Sequence, residues 1–206
     1  IGNGSGGRGL TIYSGNDSSG YIGFNDSEAD SMRAYIQYGH NDDTFRIGVA
    51  GESHFAINSA HILTMDKQPA FQAGSNATQS NVASGNTVQV NFASEIFDQN
   101  ADFSSSTFTA PATGKYFLHT VIYLQQVDTA ASYYSLRITT SNRVYVEIMD
   151  PNFSADLSYH SLTVTVLADM DTNDTATVGF LQVGGTDQTE IVGNVSYTYF
   201  CGNLVC

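Results

Sequence analysis

The sequence predicts an all-β chain in two parts, a stem of short strands followed by a sandwich or jelly-roll head. Three observations carry this. Apolar and polar residues alternate with period two in segment after segment, and no stretch of useful length shows helical periodicity. The composition suits short strands and tight turns: Tyr and Phe number twelve each, Gly nineteen, Pro only three, and Trp is absent. The strand-sized pieces are short before Met65 and longer beyond Ala73.

The stem covers residues 1–66. Its first eight residues (IGNGSGGR) are a Gly-rich lead in which Gly2, Gly4 and Gly7 match G-x-G-x-x-G. No strand precedes them and no helix follows, so the dinucleotide-loop reading fails on context. From Leu10 to Met65 come LTIYSG, GYIGFND, RAYIQYGH, FRIGVAG, HFAINS and HILTM, punctuated by turns such as Gly15-Asn16-Asp17 and Asn41-Asp42-Asp43. Strands this short can hardly bury an independent core. They need partners, and copies of the same segment are the obvious ones; pairing within a chain and pairing between chains both stay open.

The segment MDKQPAFQA, Met65 to Ala73, marks the boundary, and residues 67–206 form the head. Its strands read TVQVNF, STFTA, KYFLHTVIYLQ, SYYSLRIT, RVYVEIM, YHSLTVTVLA, TATVGFLQV and VSYTYFCGNLV. In RVYVEIM, Val144, Val146 and Ile148 share one face, and Arg143, Tyr145 and Glu147 form the wet one. SYYSLRIT behaves similarly through Tyr134, Leu136 and Ile138. KYFLHTVIYLQ is apolar on both faces, with Tyr116, Leu118, Ile122 and Leu124 opposite Phe117, Val121 and Tyr123. The last strand sets Val195, Tyr197 and Tyr199 against Phe200 and Leu204. A sheet apolar on both sides must bury its second side elsewhere, and self-association is the economical solution. The predicted interface between copies is Phe117, His119, Val121, Tyr123, Tyr197 and Tyr199.

Charge and cysteine content narrow the function. Charged residues make up 13% of the chain, about half the ~25% usual for globular domains. The net charge of −13 repels nucleic acid. Neutral glycans, cationic surfaces and anionic surfaces bridged by divalent cations are the compatible partners. No apolar run approaches the ~20 residues of a membrane span, so a soluble protein without membrane insertion is predicted. The start at Ile1 reads as a mature or truncated portion of something longer. Cys201 and Cys206 would close a tiny loop across a strand end; two reduced thiols are the better reading, in keeping with assembly in a reducing cytoplasm.

Several residues carry a resemblance. Pro69-Ala70-Phe71 resembles the opening of the globular complement q-subcomponent family, part of the TNF-like jelly rolls. The run from Phe108 through Gly114 and Tyr116 to Leu118 resembles that family's F-x5-G-x-Y-x-F signature, with Leu118 in place of the last Phe. Phe103 stands where an upstream aromatic belongs, at a shorter spacing, and Phe200-Cys-Gly202-Asn-Leu204 resembles the closing F-x-G-x-L. The stem segments from Gly20 to Asp26, Arg33 to His40 and Phe45 to Gly51 resemble repeats of bacteriophage tail-fibre proteins. The resemblance implies a homotrimer with four strands of each jelly roll lining a three-fold axis, and both head termini at the base. Counted back from the end, the strands put three loops at the free apex: Gln126 to Ser132, Asp150 to Leu157 and Gly184 to Gly193.

Those loops carry Asp128, Tyr133, Asp150, Asn152, Phe153, Asp156, Asp187, Gln188 and Glu190, aromatics beside amides and carboxylates as in sugar recognition. Asp169-Met-Asp171-Thr-Asn173-Asp174 has alternating oxygen ligands but no turn glycine, and Phe180 occupies the place of the bidentate Glu, so it reads as an acidic turn. Relatives of this fold hold calcium near the apex, yet no motif here matches that site residue by residue; no cofactor is assigned. His40, His54, His61, His119 and His160 show no metal-ligand spacing, and His119 reads as a packed, hydrogen-bonded histidine. No nucleophile elbow, Cys-His pair or P-loop points to an enzyme. The expectation is therefore a non-catalytic viral fibre tip of the virion. It would be homotrimeric, bound to other tail or fibre proteins, and directed at a host-surface glycan or protein. A purely structural fibre cap or capsid decoration is the alternative. A secreted lectin-like protein would use sequons such as Asn76-Ala-Thr78 and Asn194-Val-Ser196 for glycans.

Overall fold

A computed structural model describes residues 9–27 and 32–206; the Gly-rich lead with Gly2, Gly4 and Gly7 lies outside the described residues. Among these residues the regular structure is all strand. The chain divides into two compact units, Ile1–Lys67 and Gln68–Cys206.

The first unit is a five-stranded antiparallel meander of β1 (Ser19–Phe24), β2 (Ala34–Gly39), β3 (Thr44–Val49), β4 (Glu52–Ile57) and β5 (Leu63–Thr64), in that spatial order. Pairing is thus within the chain. The LTIYSG segment, predicted as a strand, is irregular; its last glycine instead closes the turn in which Ser18 N donates to Gly15 O at 3.0 Å.

The second unit is a two-sheet sandwich. Its strands are β6 (Ala70–Gly74), β7 (Val88–Gln89), β8 (Ser94–Asp98), β9 (Phe103–Ser104), β10 (Thr107–Thr109), β11 (Gly114–Val127), β12 (Ala131–Thr140), β13 (Val144–Met149), β14 (Leu157–Met170), β15 (Thr175–Gly184), β16 (Glu190–Ile191) and β17 (Tyr199–Leu204). One sheet runs β14-β11-β17-β6-β8, with β16 on β11; the other runs β13-β12-β15-β10-β9, with β7 on β15.

The signature residues meet in one cluster between the sheets. Phe71 stacks on Phe108 (4.6 Å between ring centroids) and on Phe103 (5.0 Å), and meets Phe200 edge-on at 5.1 Å. Tyr116 joins Phe108 at 5.4 Å, and its hydroxyl donates to Ala112 O at 2.7 Å, so its one polar atom is satisfied inside the core. Gly202 is fixed by packing: a Cβ there would lie 2.7 Å from Leu118 Cδ2 and 2.8 Å from Phe117 O.

Two strand readings need correction. On β13 the exposed row is Val144, Val146 and Ile148, while Tyr145 and Met149 pack against the core. The register decides this: Ile138 pairs with Tyr145 and Tyr134 with Met149, so the inward face of β12 continues into those residues. The final strand starts only at Tyr199. Residues 194–198 form a turn in which Asn194 O accepts from Tyr197 N and Thr198 N.

Candidate functional site

The loops after β11, β13 and β15 come together at one end of the sandwich and are stitched to one another. Asp156 in the β13–β14 loop accepts from Thr129 N and Thr129 Oγ1 on Oδ1, both at 2.9 Å, and from Gln188 Nε2 on Oδ2 at 2.9 Å. Gln188 Nε2 also reaches Gln126 O at 3.3 Å, at a residue whose backbone is left-handed, with φ of +54°. These side-chain oxygens sit where neighbouring backbone donors would otherwise lack partners.

Asp128 is the hub. Its Oδ1 accepts from Ala130 N at 2.7 Å; its Oδ2 accepts from Thr186 N at 2.6 Å and Thr186 Oγ1 at 2.9 Å. Hydrogen bonds from the Thr186 and Ala130 backbone hold its pKa below the usual carboxylate value. The Thr129 and Gln188 donors act likewise on Asp156. Gly185 makes the approach feasible, since a Cβ there would lie 2.6 Å from Asp128 Oδ2 and its φ is +72°.

This arrangement sorts the predicted contact residues. Asp150, Asn152, Phe153, Asp156 and Asp187 are exposed, and Tyr133, Gln188 and Glu190 are half-buried. Asp128 is buried, against the expectation that it presents an acceptor to a partner. Its oxygens are consumed in a local turn and a loop-to-loop tie, so it builds the platform. A fourth loop, between β6 and β7, went unpredicted: Ser84 N donates to Asp187 Oδ1 at 2.8 Å and Ser84 Oγ to Gly184 O at 3.1 Å. Beside it opens a cleft of about 510 Å³, lined by Asn76, Thr78, Gln79, Asn91 and Glu95 together with Phe92 and Ala93 among others.

The second candidate surface is the outward face of the β14-β11-β17 sheet. Alternation on β11 sends Tyr116, Leu118, Ile122 and Leu124 into the core and Phe117, His119, Val121 and Tyr123 outward. Phe117 stacks on His119 (6.4 Å), His119 meets Tyr199 (5.7 Å), and Tyr123 contacts both Tyr197 (5.3 Å) and Tyr159 (5.4 Å, stacked). The six residues predicted as an interface therefore share one face. Tyr159 and Leu167 join them on β14, and Cys201 lies beside His119 on β17. His119 Nδ1 pairs with Thr165 Oγ1 at 2.7 Å, and burial holds the ring pKa below its ordinary value. Burial also pushes the Cys201 thiol up; Cys201 and Cys206 are both free thiols.

At the other end of the sandwich, Asp174 Oδ2 accepts from Asn142 Nδ2 at 2.8 Å and from Asp171 N at 2.9 Å, the geometry of a self-capped turn.

No family model and no curated protein matches the chain. Among solved structures, the globular domain of zebrafish complement 1qA protein is similar, with a TM-score of 0.50 at 16% identity over 68% of this chain and 98% of that one. Murine APRIL at pH 8.5 gives a TM-score of 0.50 at 11% identity over 68% of this chain and 100% of that one. The fold is the complement-1q and TNF-like jelly roll. In that jelly roll the aromatic face is the outer surface of one sheet, and the stitched loops are one end of the sandwich.

Proposed function

We propose that this chain is the tip of a viral fibre of bacteriophage type, assembled in the host cytoplasm into the virion as a homotrimer and used to contact a host-surface glycan or protein. The observation that carries it is the loop platform. Four loops are tied to one another by side-chain hydrogen bonds, leaving Phe153 exposed in one of them beside its chain neighbours Asp150 and Asn152 and in ring contact with His160. An exposed ring beside amides and carboxylates on a rigid support suits sugar stacking with hydroxyl hydrogen bonds, and pre-organised loops lose little entropy on binding. The aromatic face supports self-association, and three copies would multiply a weak contact by avidity. The stem's likeness to tail-fibre repeats supports the viral setting.

The test is binding of the purified chain to a glycan array and to susceptible bacteria, beside a Phe153→Ala variant. Saturable binding that the variant loses by about tenfold, the ~1–2 kcal/mol of a stacked ring, supports the reading. Absence of binding, together with failure to compete with virus for cells, sinks it.

One observation favours the alternative of a structural cap or capsid decoration. Asp128, Asp156 and Gln188 spend their polar atoms inside the cluster, as a protective end would. Particles that stay fully infectious after the 150–157 loop is shortened would favour the cap.

A further inference from the structure

The meander of the first unit separates its side chains more sharply than the alternating sequence suggests. Registers carry one row from strand to strand: Ile22 pairs with Ile36, Ile36 with Ile47 and Ile47 with Phe55. A second row joins Tyr38, Phe45, Ile57 and Leu63, and a third joins Phe24, Ala34 and Val49. Directly paired residues share a face, so all of these project from one side. The other side carries Ser19, Gln37, Arg46 and Thr64 with Tyr21 and Tyr35; Gln37 Nε2 donates to Ser19 Oγ at 2.9 Å, and Arg46 pairs with Asp42.

Apart from the margin where Ile12 lies over Gly20, the apolar side is largely exposed. Phe24, Val49 and Leu63 are more than half exposed, and Ile22, Tyr38, Ile47 and Ile57 nearly as much. The buried positions of this unit, among the described residues, are Gly39, Thr44 and Gly48, none of them a large apolar side chain. Together these side chains form a patch on the order of several hundred Å², at or above the ~300–600 Å² of the largest patch on a typical monomer. A standard-size interface takes ~800 Å² from each partner, the same order.

We infer that this face is covered by a second copy of the chain. The inference rests on the self-association in the functional reading above and extends it to a separate surface. A chain of net charge −13 repels its own copies, so they can meet only where charge is lacking. The centre of this face meets that condition: among the described residues Glu52 is the one charged residue at a paired position on it, and Asp43, bonded by the Tyr38 hydroxyl, and the Arg33–Asp26 pair beside Phe24 and Val49 stand at its margins. The complement it needs is apolar and poor in charge, and the same face of neighbouring copies in the trimer proposed above supplies it.

Maleimide labelling of single-cysteine variants of the full chain tests this, in a Cys201→Ser, Cys206→Ser background, with solution mass measured on the same samples. Ile36 and Ile47 are 36% and 39% exposed and Tyr21, on the opposite side, is 42% exposed, so a lone chain would label all three sites alike. With the face covered, Ile36→Cys and Ile47→Cys label roughly tenfold or more slowly than Tyr21→Cys, as protected positions do. Protection that is lost when the sample is diluted to its monomeric mass identifies the cover as a copy, and protection that persists in the monomer overturns the inference. A multimeric mass with equal labelling at all three sites overturns this inference and leaves association through the head intact. A mass that is monomeric at every concentration overturns both.

Discussion

Both units are built from antiparallel strands with period-two alternation, yet they end in opposite states. In the second unit the apolar rows of two sheets face each other and bury Phe71, Phe108, Tyr116, Tyr134 and Phe200 almost completely. In the first unit a single sheet carries an equally apolar row with no second layer, and no large apolar side chain is buried among the described residues. The same local rule thus yields a buried core when the chain returns over itself, and an exposed apolar row when it does not. Independent stability is expected of the second unit, whose core is buried within one chain; on the inference above, the first gains stability by association.

The largest effect that tests this contrast is at Phe71. Phe71→Ala removes the ring that touches Phe103, Phe108 and Phe200, at a cost of about 3–5 kcal/mol. Chemical denaturation should show this loss independent of protein concentration. Ile36→Ala weakens contact between copies instead, so its loss should grow on dilution. Equal, concentration-independent losses at both positions would break the comparison.

Glycines sharpen it next. Gly202→Ala forces a Cβ against Leu118, Phe117 O and Phe71 Cε1, within 2.9 Å of each, inside a packed core. Overpacking there should cost about 1–3 kcal/mol. Gly51, in the β3–β4 turn, has φ of +82° and open space around it. Gly51→Ala should cost only the left-handed strain, about 1 kcal/mol. Melting curves of the two variants compare them directly.

What the sequence revealed follows the same division between local and long-range information. Alternation along one strand is local, so the inward and outward rows of β11 and the shared face of Phe117, His119, Val121 and Tyr123 were legible. The aromatic signature was legible as spacing, and its meaning as one cluster around Phe71 needed the fold. β13 was misread because both its rows hold apolar residues, and only pairing with β12 decides between Val146 and Tyr145. Asp128 was misread because a carboxylate in a polar loop looks free until the backbone donors of Thr186, distant in sequence, fold onto it. The Ser84 loop left no signal at all, since its tie to Asp187 spans more than a hundred residues.

Acid titration separates the loop cluster from the rest of the head. Asp128 has a folded pKa below its unfolded value, so the stability it contributes is complete above about 3.9 and is lost as pH falls through the lower folded pKa. Amide exchange at Thr186 and Ala130 should accelerate over that range. Asp128→Asn should flatten the dependence, and an unchanged profile would mean that the ties are not made in solution.

The smallest effect is expected on the aromatic face, at higher pH. His119 is flanked by Phe117 and Val121 on its own strand, Thr165 on β14, and Tyr199 and Cys201 on β17, with no carboxylate among them. Burial lowers its folded pKa, so the unfolded or separated chain takes up a proton more readily than the packed one. Stability is therefore complete above the unfolded value of about 6.5 and declines as pH drops from there toward the folded pKa, where the loss levels off. If copies meet on this face, the ring is buried further in the assembly than in one chain, and the mass in solution should fall over the same interval. His119→Gln should remove both the stability slope and the mass change while leaving the acid limb of Asp128 untouched. A slope of the opposite sign would place a negative group from another copy against His119, and the face would then be joined by charge as well as by aromatic packing.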